Sequence, residues 1–368
     1  MARKNIRYAV VGLGHIAQVA ILPAFQHASA NSELVALVSS DDTKLRRLGK
    51  RYGVTRLYDY EHYDELLASG DVDAAYIALP NHQHAEFTVR TAKHGVHVLC
   101  EKPLAVTERE CLLSMIRAAE TNGVKLMTAY RLHFERANLE AIETVRAGKI
   151  GEPRLFNSLF CMDVKEGDIR LRKETGGGTL YDIGVYCINA ARYLFRDEPT
   201  EVLAMRANND QKRFAETEEM MGGLLRFPGD RLATFICNFG TSFVARYQIV
   251  GTKGNLALDP AYEYALELKR HLTIGERENL KTYAQRDQFA PELLYFSDCI
   301  LHNRDPEPSG WEGLADVRIV TALYRSAKSG KAVSIEPIEK TARPTMKQEI
   351  HRPAVRKPKL VKATSPSK

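Results

Sequence analysis

The chain has 368 residues, 44% of them hydrophobic and 27% charged, which fits a globular protein of two domains and excludes a disordered chain. Cys100, Cys111, Cys161, Cys187, Cys237 and Cys299 lie far apart with no CxxC pair, so neither a disulfide framework nor a zinc site is expected, and no apolar run reaches the ~18 residues of a membrane span. The formal charge of +6 comes from the C-terminus, where residues 341–368 hold eight Lys or Arg and one acid; the near-neutral body has no stripe of charge for nucleic acid.

The start, "MARKNIRYAVVG", enters an apolar strand without the hydrophobic stretch and cleavage site of an export signal, so a cytoplasmic setting is expected. "IRYAVVGLG", "LVALVSS", "DAAYIALP" and "HVLCEKP" read as strands, separated by helical stretches such as "EFTVRTAKHG" and "ERECLLSMIRAAETNG". That alternation predicts a doubly wound parallel sheet over residues 1–130, with its ligand site at the carboxyl ends of the strands. After Tyr130 come a helix in "NLEAIETVRAGKIG", the glycine-led "GGGTLYDIGVYCINAARYLF", strand-like runs in "GGLLRFPG", "RLATFICNF" and "YQIVGTKGNLALD", and a final helix in "GLADVRIVTALYRSAKSG". These predict an α+β domain on a largely antiparallel open sheet over residues 131–340. Residues 341–368 carry four prolines and no periodicity; they read as an extended basic tail, either solvated or docked on a neighbouring subunit.

Chemistry is concentrated at the strand ends. Gly12-Leu13-Gly14-His15-Ile16-Ala17 stands between the first strand and the first helix, where its glycines allow a tight turn and let a pyrophosphate approach the amides of a helix N-terminus. At the end of the second strand, where an NAD site places a carboxylate, stand Ser39 and Ser40, followed by Lys44, Arg46 and Arg47. A hydroxyl and cations suit a 2′-phosphate, which favours NADP; Asp41 and Asp42 are the contrary charges, and either could cap the next helix. Leu79, Pro80, Asn81 and His84 follow the fourth strand, and Glu101, Lys102 and Pro103 the fifth. All of these fall at the ligand edge. His82 and His84 lack a third ligand, so no metal is expected, and His84 is read as contacting cofactor or backbone.

GLGHIA, LPNHQH, CEKP and GGGTLYDIGVY, in this order and spacing over roughly residues 5–335, resemble the glucose-fructose oxidoreductase, inositol dehydrogenase and rhizopine-catabolism (Gfo/Idh/MocA) family of NAD(P)-dependent oxidoreductases. The resemblance implies a Rossmann domain, and a substrate domain whose sheet joins subunits into a dimer or tetramer. It also implies sugar or polyol substrates and the EKP lysine at the catalytic centre. Many members carry a histidine where Tyr186 stands and an aspartate where Asn189 stands; the Tyr/Asn pair is similar to the glucose-fructose oxidoreductase branch. By that resemblance Lys102, Asp182 and Tyr186 surround the reacting carbon, Ser39 and Lys44 hold the NADP phosphate, and Arg131 in "AYRLHF" and Arg170 in "DIRLRKE" are further cofactor contacts.

Asp182, Tyr186 and Asn189 fall on one helix face. Oxidising an alcohol needs a proton acceptor beside the departing hydride, and a nearby ammonium favours a tyrosine's phenolate. On this reading the stripe is catalytic. On the other, Asp182 and Asn189 cap backbone and Tyr186 packs as an aromatic. The same fold would also serve an NADP-binding, sugar-responsive regulator without turnover, but Lys102 and Tyr186 favour an enzyme, because sensing requires no proton acceptor.

Overall fold

The apolar run Ile6–Val11 forms β1, and five further short strands join it: β2 Ser32–Val38, β3 Arg56–Tyr58, β4 Ala74–Ile77, β5 His97–Glu101 and β6 Leu126–Ala129. The computed structural model describes residues 5–339 and 342–367. Among them the strand order is β3-β2-β1-β4-β5-β6, with every pairing parallel. β4, wholly buried, shows the continuous apolar run of a strand covered on both faces. The chain leaves β1 toward β2 on one side, and β4 lies on the other. That reversal leaves a crevice at the strand ends beside the turn that follows β1.

This sheet belongs to a unit built from the chain up to Arg131 together with Arg286–Leu314 and Ile350–Pro366. The helix Ala290–Leu301 packs on β1 and β2; the Tyr8 and Ser297 hydroxyls are 2.8 Å apart, and Asn31 Nδ2 donates to the Leu294 carbonyl at 2.9 Å. Residues 350–366, read from the sequence as part of a tail that is either solvated or docked on a neighbouring subunit, lie against the first unit, although many of their side chains are exposed. Val361 is buried, Arg352 Nε donates to the His27 carbonyl at 2.9 Å, and the Asp287 amide donates to the Arg352 carbonyl at 3.3 Å. The segment is held by side-chain-to-main-chain and main-chain bonds and one buried valine, which leave no periodic pattern in the sequence.

The second unit, Leu132–Gln285 with Ala315–Glu349 and the last two residues, carries a sheet of nine strands among the described residues. They are β7 Pro153–Asp163, β8 Glu201–Ala207, β9 Met220–Phe227, β10 Arg231–Asn238, β11 Gly240–Gly251, β12 Gly254–Leu258, β13 Leu268–Ile274, β14 Arg277–Tyr283 and β15 Val333–Ser334, in the order β14-β13-β12-β11-β7-β10-β9-β8-β15. All pairs are antiparallel except β7 with β10. One face buries an apolar core with the helices at 136–146 and 179–195, including Leu139, Ile142, Ile188, Phe156 and Phe235. The other face exposes Leu155, Leu203, Met205, Leu232 and Ile236, which register onto one side of neighbouring strands. No described helix is long and apolar enough to cross a membrane, and all six cysteines are unpaired.

Candidate functional site

The turn after β1 is shaped by two glycines with different tasks. Gly12 has φ +94°, and a Cβ there would lie 2.5 Å from the Ala78 carbonyl oxygen, so only glycine lets the ends of β1 and β4 close together. Gly14 is the reverse: a Cβ there would meet nothing within 4 Å. The helix at 15–24 starts immediately afterwards, with the Gln18 amide donating to the Gly14 carbonyl at 3.2 Å. The amides of His15, Ile16 and Ala17 lie in its first turn, and the space at Gly14 lets an anion reach that helix end. These residues fit a dinucleotide phosphate.

At the end of β2, Ser39 is buried, its amide donates to the Tyr58 carbonyl at 3.0 Å and its Oγ accepts the Asp41 amide at 3.2 Å. Asp41 caps the helix Asp42–Tyr52, its Oδ1 accepting the Lys44 amide at 3.1 Å. This is the capping role the sequence allowed for one of the two aspartates. Arg46 pairs with Asp42. Ser39, Asp41 and Lys44 are thus gathered at one loop, a hydroxyl and a cation on the one hand and a carboxylate on the other.

Pro80 and Asn81 lead into the turn Asn81–Gln83 after β4. His84 is fully buried, its Nδ1 2.8 Å from the Pro103 carbonyl oxygen and its Nε2 2.9 Å from that of Leu79. Its ring is therefore spent on backbone, not on a cofactor: it ties the loop after β4 to the loop that carries Lys102. Burial lowers its pKa against the pull of those carbonyls.

Behind that loop lie two acidic groups, Glu101, which the sequence placed at the ligand edge, and Glu292, which sequence reasoning missed. Tyr76 Oη donates to Glu101 Oε1 at 3.0 Å, and desolvation raises the Glu101 pKa against the opposing pull of Lys102, the Tyr76 hydroxyl and Arg131. Buried Arg131 donates to the Gln288 side chain. Glu292 is fully buried, and neither of its carboxylate oxygens has a hydrogen-bond partner among the described residues. Burial, then the nearby Glu101, pushes its pKa well above the carboxylate range, with Arg131 opposing. The one signal was a lone acid in the apolar run "FAPELLYF".

In the second unit the glycine triplet carries a loop to a helix start. A Cβ at Gly177 would lie 2.4 Å from the Arg170 carbonyl oxygen, and the Gly178 amide donates to that same carbonyl at 3.0 Å. The close approach brings Arg170 to the helix at 179–195. Its Nε donates to Asp182 Oδ2 at 2.7 Å and its Nη1 to Asp168 Oδ1 at 3.2 Å. Glu218 accepts the Thr179 amide and hydroxyl, each at 2.7 Å, at the start of the helix, where a carboxylate is favoured. Tyr186 is half-buried, edge-on to Phe160 and tilted against Tyr262. Asn189 is different: buried, its Oδ1 accepts from His133 Nε2 at 2.8 Å and its Nδ2 donates to Asp316 Oδ2 at 2.9 Å. Asp316 in turn accepts from the buried Arg192, which also pairs with Glu198. The predicted stripe therefore divides, with Asp182 and Tyr186 partly accessible and Asn189 part of a closed buried network.

Comparison with known proteins places both parts of the chain in one family. Residues 6–130 match the model of an oxidoreductase family with an NAD-binding Rossmann fold (GFO_IDH_MocA) and residues 138–257 that of the GFO/IDH/MocA C-terminal domain. An aldose-aldose oxidoreductase from Caulobacter crescentus, crystallised with glycerol, is 37% identical with a TM-score of 0.86, covering 90% of this chain and 100% of its own. An uncharacterised oxidoreductase of Rhizobium meliloti (ORF334) is 31% identical over 88% of this chain and 98% of its own length. A D-xylose 1-dehydrogenase (NADP(+)) of Haloferax volcanii is 29% identical over 89% of this chain and 99% of its own.

Proposed function

The chain belongs to the Gfo/Idh/MocA oxidoreductases, and we propose on that premise that it transfers a hydride between a carbon of a sugar or polyol and NADP. The observation that carries the reading is the strand-end edge of the first unit: a cradle open at Gly14, a hydroxyl and a cation after β2, and the Glu101-Lys102 pair ending β5. The aldose-aldose oxidoreductase and xylose dehydrogenase likenesses support the substrate class and, in the second case, the cofactor.

NADP supplies the hydride acceptor or donor. The remaining roles fall to the chain. The amides after Gly14 bind the diphosphate, with Leu79, Pro80 and Asn81 bordering the nucleotide and His84 holding their loop in place. Ser39 and Lys44 receive the 2′-phosphate. In the oxidative direction the substrate carbon loses its hydride and its hydroxyl proton passes to Tyr186, while Lys102 binds the same oxygen. Asp182, held by Arg170, orients the substrate. The apolar open face of the large sheet supports a homo-oligomer, dimer or tetramer, and six unpaired cysteines suit a reducing cytoplasm.

The test is a panel of aldoses, ketoses and polyols added to the NADP-loaded protein, scored by nicotinamide absorbance in a single turnover. At least one sugar should reduce the cofactor, and Tyr186→Phe should slow that step by about 10²–10⁴, the usual worth of a general base. Nucleotide affinity should be unchanged. Sugar binding with no reduction across the panel would instead identify a regulator.

A further inference from the structure

The basic C-terminal segment reaches the two loops that define the nucleotide site of the first unit. The carboxamide of Gln18, fully buried in the helix after the glycine turn, pairs with the main chain of Val361. Gln18 Oε1 accepts the Val361 amide at 2.8 Å, and Nε2 donates to the Val361 carbonyl at 2.9 Å and to the Leu13 carbonyl at 3.0 Å. Leu13 lies inside the GLGHIA turn, so one side chain clamps the segment to the glycine loop.

The next residue points its charge at the second loop. Lys362 has φ +45°, a conformation that non-glycine residues hold only where their surroundings impose it. Its Nζ lies 3.4 Å from Asp41 Oδ1 and 3.3 Å from Oδ2. Asp41 is the one carboxylate in the Ser39-Asp41-Lys44 cluster, and left alone it would repel a phosphate there. Desolvation works to raise the Asp41 pKa, but the Lys44 amide and the Lys362 ammonium outweigh it and hold the group below its ordinary value, so the carboxylate is charged and in need of a cation.

We propose that the C-terminal segment completes the nucleotide site, with Lys362 neutralising Asp41 and offering its ammonium to the 2′-phosphate of NADP. The inference rests on the NADP reading above and adds a specificity residue more than 300 positions from the glycine motif. It also accounts for an aspartate standing where a 2′-phosphate would be bound: the chain supplies the compensating charge from its far end.

The experiment titrates NADP and NAD, by calorimetry, into nucleotide-stripped full-length protein, with melting temperature as the check on folding. Wild type should prefer NADP. Lys362→Met keeps the aliphatic stem and should weaken NADP by about three- to tenfold, the scale of a partly exposed charge contact, with NAD within twofold. Lys362→Arg should retain most of the NADP affinity, and adding Asp41→Asn to Lys362→Met should recover part of the loss. If wild type shows no preference for NADP, the cofactor reading falls and this inference with it. If wild type prefers NADP and Lys362→Met binds it as wild type does, or loses both nucleotides alike, the inference alone is overturned.

Discussion

The turn after β1 and the triplet before the helix at 179–195 are both glycine-rich, yet a side-chain carbon at Gly14 would meet nothing within 4 Å, whereas one at Gly177 would lie 2.4 Å from a backbone oxygen. In the first turn the missing side chain leaves room outside the protein; in the second the protein's own chain fills the room. The polar groups divide in the same way. Glu292 is buried with no hydrogen-bond partner for either oxygen among the described residues, next to the loop that carries Lys102, while buried Asn189 closes a network with His133 and Asp316. Open space and unmet hydrogen bonds mark a site; filled space and paired groups mark structure.

Two substitutions should pull this comparison apart. Gly177→Ala forces a Cβ into the Arg170 carbonyl and should destabilise the fold by about 1–3 kcal/mol, as overpacking does, measured by urea unfolding. Gly14→Ala should leave stability unchanged or raise it by up to ~1 kcal/mol, by restricting the unfolded chain, yet weaken nucleotide binding because its methyl enters the space left for phosphate. Equal losses of stability at the two glycines would erase the distinction.

A pH dependence sharpens the contrast between the unmet and the paired buried groups. Burial raises the folded-state pKa of Glu292 well above its ordinary value, so above the unfolded pKa the folded state holds a proton that the unfolded state has lost. Stability then falls as pH rises, by about 1.4 kcal/mol per pH unit for one such group, until the folded pKa is reached. Glu292→Gln removes that dependence, and its stability advantage over wild type should grow as pH rises above the ordinary carboxylate range of ~4–5. A constant difference over that rise would mean that Glu292 is ionised in the folded protein.

How much of this could be read from the sequence depended on distance along the chain. The GLGHIA turn, the EKP loop and the stripe were legible because each lies within one turn or strand end and carries a residue pattern of its own. His84 was legible as a loop histidine, but the two carbonyls it faces come from Leu79 and Pro103, and only folding brings the second near. Asn189 sat on the right helical face by spacing, yet its burial is set by His133 and Asp316, far off in sequence. The return of residues 286–314 and 350–366 to the first unit left no signal, since single side-chain-to-backbone bonds such as Gln18 with Val361 have no period. Lys362 looked like one more charge in a basic tail until the fold set it beside Asp41.

The central claim is hydride transfer between a sugar carbon and the nicotinamide, and it can be followed by isotope. A sugar that reduces the NADP-loaded protein is supplied with deuterium on the carbon that is oxidised, and the nucleotide is then released and weighed by mass spectrometry. The account predicts reduced NADP carrying the deuterium, with little or none in the Tyr186→Phe variant over the same interval. Reduced nucleotide without the label, or a nucleotide left fully oxidised by every sugar that binds, would contradict it.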